Sequence, residues 1–230
     1  MSLSSNALCT LADLKAELGV TGSAEDARLE RLIEAATKAI ERYCGRRAGF
    51  YYEAARVDDV KGYGTPLIHL PKTPVLSIAS IVWDPTDDND TVPSTEYRID
   101  DADMGRIYRD QGWQWTVSYG QDITEHPLPG TEERLFRATY ACGYKTANQV
   151  AAVGDGGLGV TGTRSLPHDL EDACLMLAAL RYRWAPRDPA INTESLLDWS
   201  AGYSVTHGPG GLVPADVAAV LNPYRRVAFA

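Results

Sequence analysis

The chain lacks a long hydrophobic run, an excess of positive charge, closely spaced cysteines and the usual nucleotide or metal motifs, and each absence removes a class of function. Its longest apolar run, Ala173–Leu180, is eight residues, far short of the ~20 that a helix needs to cross a bilayer. The N-terminus has no basic-then-apolar export pattern, so we expect no membrane association and residence in the cytoplasm of the cell that makes it. Lys and Arg number 22 against 31 Asp and Glu, a net charge of −9. A field of that sign repels phosphate, which disfavours tight nucleic-acid binding. Cys9, Cys44, Cys142 and Cys174 are far apart and form no C-x-x-C pair, which argues for reduced thiols rather than a zinc or redox site.

What is present is ordinary globular material. The 230 residues are 44% hydrophobic and 23% charged, enough for one large domain or two small ones without a staple. Thr10 is placed to cap a short helix carrying Leu11, Leu14 and Leu18 and stopped by Gly19. A longer helix follows, with Ser23 as candidate cap and Leu29, Leu32, Ile33, Ala36, Ile40 and Tyr43 at helical spacing up to Gly45. Its other face carries Arg28, Arg31, Glu34, Lys38 and Glu41.

From about residue 50 the pattern changes to short β-branched and aromatic runs divided by Pro, Gly and Asp. Strands are predicted at Tyr52–Val60, Leu67–Leu70, Leu76–Trp83, Glu96–Ile99, Arg106–Arg109, Trp115–Tyr119 and Arg134–Ala141. Residues 150–164 hold five glycines without periodicity and read as a flexible loop. Ser165 and Pro167 open a third helix with a stripe of Leu170, Ala173, Cys174, Leu177, Leu180 and Trp184. Ile191–Thr206 is ambiguous, and after the turn Gly208–Gly211 a last short helix starts at Pro214 and ends before Pro223. The expected fold class is therefore α+β: about four helices from residues 1–49 and 165–230 closing into one small bundle, a β-rich insert over 50–149, and the glycine-rich loop 150–164.

No catalytic or cofactor signature survives inspection. Gly154, Gly156 and Gly159 spell G-x-G-x-x-G, but the next helix begins only near Pro167, whereas a dinucleotide loop opens straight into its helix. Asp84, Asp87, Asp88, Asn89 and Asp90 could hold calcium. Counting from Asp84, Asp88 or Asp101, however, puts Thr95, Ile99 or Gly112 where the closing Glu belongs. His69, His126, His168 and His207 form no metal-ligand spacing, and His168 beside Asp169 has no nucleophile motif to serve. Trp113, Trp115 and Tyr119 near Arg106 and Arg109 could stack bases, though alternate aromatic residues in a strand more often pack inward. We therefore expect no enzyme, no cofactor and no metal.

The opening LADLKAELGV…DARLERLIEAATKAIERYCGRR, Leu11 to Arg47, resembles the phage gp6-like head-tail connector proteins. The likeness is carried by Leu11, Leu14, Lys15, Ile40, Tyr43, Gly45 and Arg46. LPHDLEDACLMLAALRY (Leu166–Tyr182), Glu194-Ser195 and the ending Leu221, Pro223, Tyr224, Arg225, Arg226 resemble later parts of that family. LPKTPVLSIASIVWD (Leu70–Asp84) and ATYACGY (Ala138–Tyr144) look like the β-rich insert of its longer members. The resemblance implies a structural protein of a virion or prophage that forms a ring of roughly a dozen copies under the portal protein. Such a ring receives the next neck or tail component and lets DNA pass without sequence-specific binding. The candidate subunit contacts are Arg28, Arg31, Lys38 and Glu41 on the second helix and Tyr224, Arg225 and Arg226 at the tail. The rivals are another neck or tail-completion protein, a hydrolase or nucleotide-binding enzyme hidden in the β-rich part, and an acidic DNA mimic.

Overall fold

The computed structural model describes residues 3–83, 90–114, 136–151, 162–184, 193–196, 199–202 and 213–226. They divide into two compact units, one of Met1–Tyr51 with Tyr144–Ala230 and one of Tyr52–Gly143. The fold is mixed α+β, with helices from both ends of the chain in the first unit and a β-rich insert between the second and third helices. The strand expected at Trp115–Tyr119, the acidic tip 84–89, the glycine-rich stretches 152–161 and 208–211, His126 and His207 lie outside the described residues.

In the helical unit, α1 spans Leu11–Leu18. The Asp13 N–H donates to Thr10 Oγ1 at 3.1 Å, and Gly19 closes the helix at φ 66°, a left-handed geometry that glycine adopts without steric cost. The next helix, α2, spans Asp26–Tyr43 and starts later than the Ser23 cap expected from sequence. Ser23 instead closes a turn, its carbonyl accepting from the Asp26 N–H at 3.3 Å. A short helix α3, Ala147–Ala151, was not expected. The Thr146 N–H donates to Gln149 Oε1 at 3.2 Å and the Gln149 N–H to Thr146 Oγ1 at 3.1 Å, the reciprocal pair of a capping box. The boundary expected at 149–150 falls inside this helix.

The third expected helix is α4, His168–Trp184, and the last is α5, Ala215–Leu221, continuing into a 3-10 turn at Asn222–Tyr224. A hairpin, β8 (Thr193–Leu196) with β9 (Trp199–Gly202), occupies part of the stretch left ambiguous by sequence.

These helices share one core. Leu14 of α1, Leu29, Ile33, Ala36 and Ile40 of α2, Leu170, Ala173, Cys174 and Leu177 of α4, and Val217 and Leu221 of α5 are all buried in it. Burying each large aliphatic side chain contributes about 1.5–3 kcal/mol, so the stripes rather than helix propensity hold the unit together. The expected α4 stripe stops short: Trp184 is 38% exposed.

The insert has two antiparallel sheets. The four-stranded sheet has order β1 (Glu53–Val60), β7 (Phe136–Cys142), β3 (Val75–Trp83), β4 (Asp90–Thr91), and the three-stranded sheet β2 (Leu67–His69), β6 (Arg106–Arg109), β5 (Tyr97–Asp101). Trp113 is fully buried, donating Nε1–H to the Pro66 carbonyl at 3.1 Å and meeting Phe136 edge-on at 5.1 Å. It is core, not a surface for stacking bases.

A charged network also runs through the insert. Lys72, 1% exposed, has Nζ 3.0 Å from Glu53 Oε1. Arg56 grips Asp58 through Nε at 2.6 Å and NH2 at 3.0 Å, and Tyr140 donates to the same carboxylate at 2.6 Å. Burial pulls Lys72 below the ordinary lysine range, and Glu53 opposes that.

Two expectations follow for stability in urea unfolding. Ile33→Ala and Leu170→Ala, each deleting a buried branch of the shared core, each cost about 3 kcal/mol. Glu53→Ala, which removes the carboxylate beside the buried Lys72 ammonium, costs about 2 kcal/mol, below the fully buried value because Glu53 keeps some solvent.

Candidate assembly surface

The surface of the helical unit is defined by what the helices leave uncovered. On α2 the residues turned away from the core are Ala27, Arg31, Glu34, Ala35, Lys38 and Arg42. Arg28 is half-buried, paired with Glu25 at 3.1 Å and lying 4.8 Å over the Tyr182 ring. The Glu41 side chain is 4% exposed and receives Lys38 Nζ at 2.7 Å, while the lysine side chain is 68% exposed. Of the four α2 candidates, Arg31 is thus presented outward, Lys38 is exposed but pairs with Glu41, and Arg28 and Glu41 are engaged by their own chain. Arg42 was not among the sequence candidates. It stands on the same face, four residues beyond Lys38, and the helical period alone would have found it.

The tail is bound to the end of α2. The Arg226 N–H donates to the Cys44 carbonyl at 2.9 Å, Arg46 Nε donates to the Tyr224 carbonyl at 3.2 Å, and Tyr43 OH donates to Asn222 Oδ1 at 2.9 Å. Arg225 lies 5.2 Å over the Tyr43 ring, and Tyr224 OH donates to Asp169 at 3.3 Å. Tyr224, Arg225 and Arg226 therefore have contacts inside the chain, which sequence reasoning had no means to distinguish from contacts to a second molecule. Arg225 alone of the three is exposed.

The opposite side of the unit is different in character. Glu17 of α1, Met176, Leu180, Arg183 and Trp184 of α4 and Val217 of α5 line a groove of about 340 Å³. Met176 is 45% and Trp184 38% exposed there. Two exposed carboxylates, Glu17 and Asp216, edge it beside Arg183, while Asp13 and Asp172 line a separate depression with Arg164. His168, at the start of α4, has an 86% exposed side chain whose Nδ1 lies 3.1 Å from Arg164. It stands at the rim of a shallow, open depression that Asp13, Arg164, Glu171 and Asp172 also line.

All four cysteines are free and buried. Cys9 and Cys174 meet at 3.3 Å between sulfurs, and this contact together with burial holds the Cys9 thiol well above its ordinary value. Burial pushes Cys44 and Cys142 up to about 11. Among the described residues no three potential metal ligands stand together, and no helix is long and apolar enough to cross a membrane.

Residues 9–84, about a third of the chain, match the model of the phage gp6-like head-tail connector protein family. The resemblance read from α1 and α2 is thereby shown. No curated protein matches the sequence. Among solved structures, a chain from the neck of an empty gene transfer agent particle computed with C6 symmetry is 20% identical, with a TM-score of 0.57 over 100% of this chain and 95% of that one. A chain from the neck of the native particle computed with C12 symmetry gives 20% identity and a TM-score of 0.54, covering 100% and 94%. A chain from the virion of the native gene transfer agent gives 20% and 0.53, covering 100% and 95%. At that identity the likeness establishes the fold, and it extends over both the helical unit and the insert.

The buried thiols make stability depend on pH with a definite sign. The folded values of Cys44 and Cys142, about 11, lie above the ordinary 9.0, so their contribution is full below about pH 9 and is lost as pH rises through about 11. Urea midpoints measured across that window should fall, and Cys44→Ala should flatten the fall.

Proposed function

We propose that the protein is a head-tail connector subunit, a structural component that assembles as a ring between capsid and tail and has no catalytic role. The carrying observation is that the segment matching the connector family, residues 9–84, supplies α1 and α2, and these pack into one core with α4 and α5 from the far end of the chain. A subunit built this way presents outer helix faces to its neighbours, and heterologous contacts whose rotation closes give a ring. The C6 and C12 symmetry of the structures that share its fold supports ring assembly in a particle.

On this reading the partners are other copies of the chain, roughly a dozen in a closed ring, the portal protein above and a neck or tail component below. DNA passes through transiently, and the net charge of −9 suits passage without adhesion. The protein is made in the bacterial cytoplasm and ends in the virion.

Electron microscopy of the purified protein mixed with its cognate portal tests this. An additional annular layer beneath the portal is the expected result. Failure to associate at any ratio of the two proteins overturns it.

A further inference from the structure

The two outer faces of the helical unit differ in chemistry, and they lie on opposite sides of the α2–α4 pair. Each helix turns its core stripe toward the other, so the exposed residues of α2 point one way and Met176 and Arg183 of α4 point the other. The α2 face presents Arg31, Lys38 and Arg42 with one acid, Glu34, and its small residues Ala27 and Ala35 leave a low ridge. The other face is an apolar groove with Met176 and Trp184 on show, edged by Glu17 and Asp216 against Arg183. Arg183 is itself drawn toward Glu17, 3.8 Å away.

We propose that the α1–α4–α5 groove of one copy receives the outer face of α2 from the next copy. The inference rests on the ring reading and names the surfaces that would make the ring. A cationic ridge with low side chains suits an acid-edged apolar groove twice over. Ala27 and Ala35 allow a close approach to Met176 and Trp184, as one helix's ridge entering another's groove requires, and Arg31 and Arg42 meet the carboxylates at the edge. Because ridge and groove lie on opposite sides of one body, each copy offers one and accepts one. That is the head-to-tail relation that closes into a ring and does not stop at a dimer.

The test uses charge reversal in the full chain. One variant carries R31E and R42E, a second carries E17K and D216K, and a third carries all four changes. These four side chains lie outside the core, and thermal melting checks that each variant folds. Ring assembly, with portal present where the wild type needs it, is followed by sedimentation and electron microscopy. Each two-site variant alone should need about tenfold more protein to assemble, since its contact sets like charges together. An equimolar mixture of the two should assemble like wild type in alternating rings, and the four-site variant should do so by itself. Rings from wild type and from both two-site variants at equal concentration would overturn the groove assignment and leave the connector reading standing. Loss of assembly in the two-site variants with no recovery in the mixture or in the four-site chain would also overturn it. If wild type forms no ring with or without portal, the connector reading falls and this inference with it.

Discussion

The packing of α2 on α4 is the contact on which the helical unit depends. It joins residues separated by more than a hundred positions, and the whole β-rich insert lies between them in the chain. Local helix formation alone does not hold such distant segments together, so the contact is apolar and close. Small residues make it close: Ala36 on one helix and Ala173 and Cys174 on the other are all fully buried. Thr37 completes the seam by a polar route. It accepts the Leu8 N–H at 3.3 Å and lies 3.7 Å from Cys174 Sγ, so the N-terminal segment is fastened at the same place.

Around that seam the remaining pieces are fixed by hydrogen bonds rather than by area. Asn148 donates from Nδ2 to the carbonyls of Ala7 and Cys9, both at 3.0 Å, and Thr146 Oγ1 donates to the Ser5 carbonyl at 2.8 Å. The chain returning from the insert thus secures the segment that opened the sequence. At the other end Arg46 and the Cys44 carbonyl hold the tail. Such polar fastenings exclude water from the edges of the core and leave the outer faces of α2 and α4 exposed.

Much of this was legible in the residues, for reasons specific to each element. The 3.6-residue period of Leu29, Ile33, Ala36 and Ile40 and the bracketing of α1 by Thr10 and Gly19 are direct physical signals, and both helices form, α1 with the caps as read and α2 starting at Asp26, past the expected Ser23 cap. Strand β6 has the bounds its alternation predicts. Helix α3 was missed although Thr146-Ala147-Asn148-Gln149 spells a capping box, because five residues carry no apolar period to accompany it. The orientation of charged side chains was not legible. Glu41 and Arg28 sit on the polar face of α2 by spacing, yet Glu41 is buried beside the turn at Gly49, and Arg28 lies over Tyr182 from remote sequence. Which face a ridge of arginines would meet became visible only once α4 and α5 had formed a groove on the far side.

The insert leaves and rejoins the helical unit at a single point. The Tyr144 N–H donates to the Phe50 carbonyl at 2.7 Å, and Tyr51 and Tyr144 form a β-bridge. Departure and return are therefore neighbours, and the helices are indifferent to how much polypeptide is strung between them, since lengthening a loop whose ends are already pinned adds little entropy. A lineage of such chains can exchange, enlarge or discard the intervening module while the body that carries it keeps its shape.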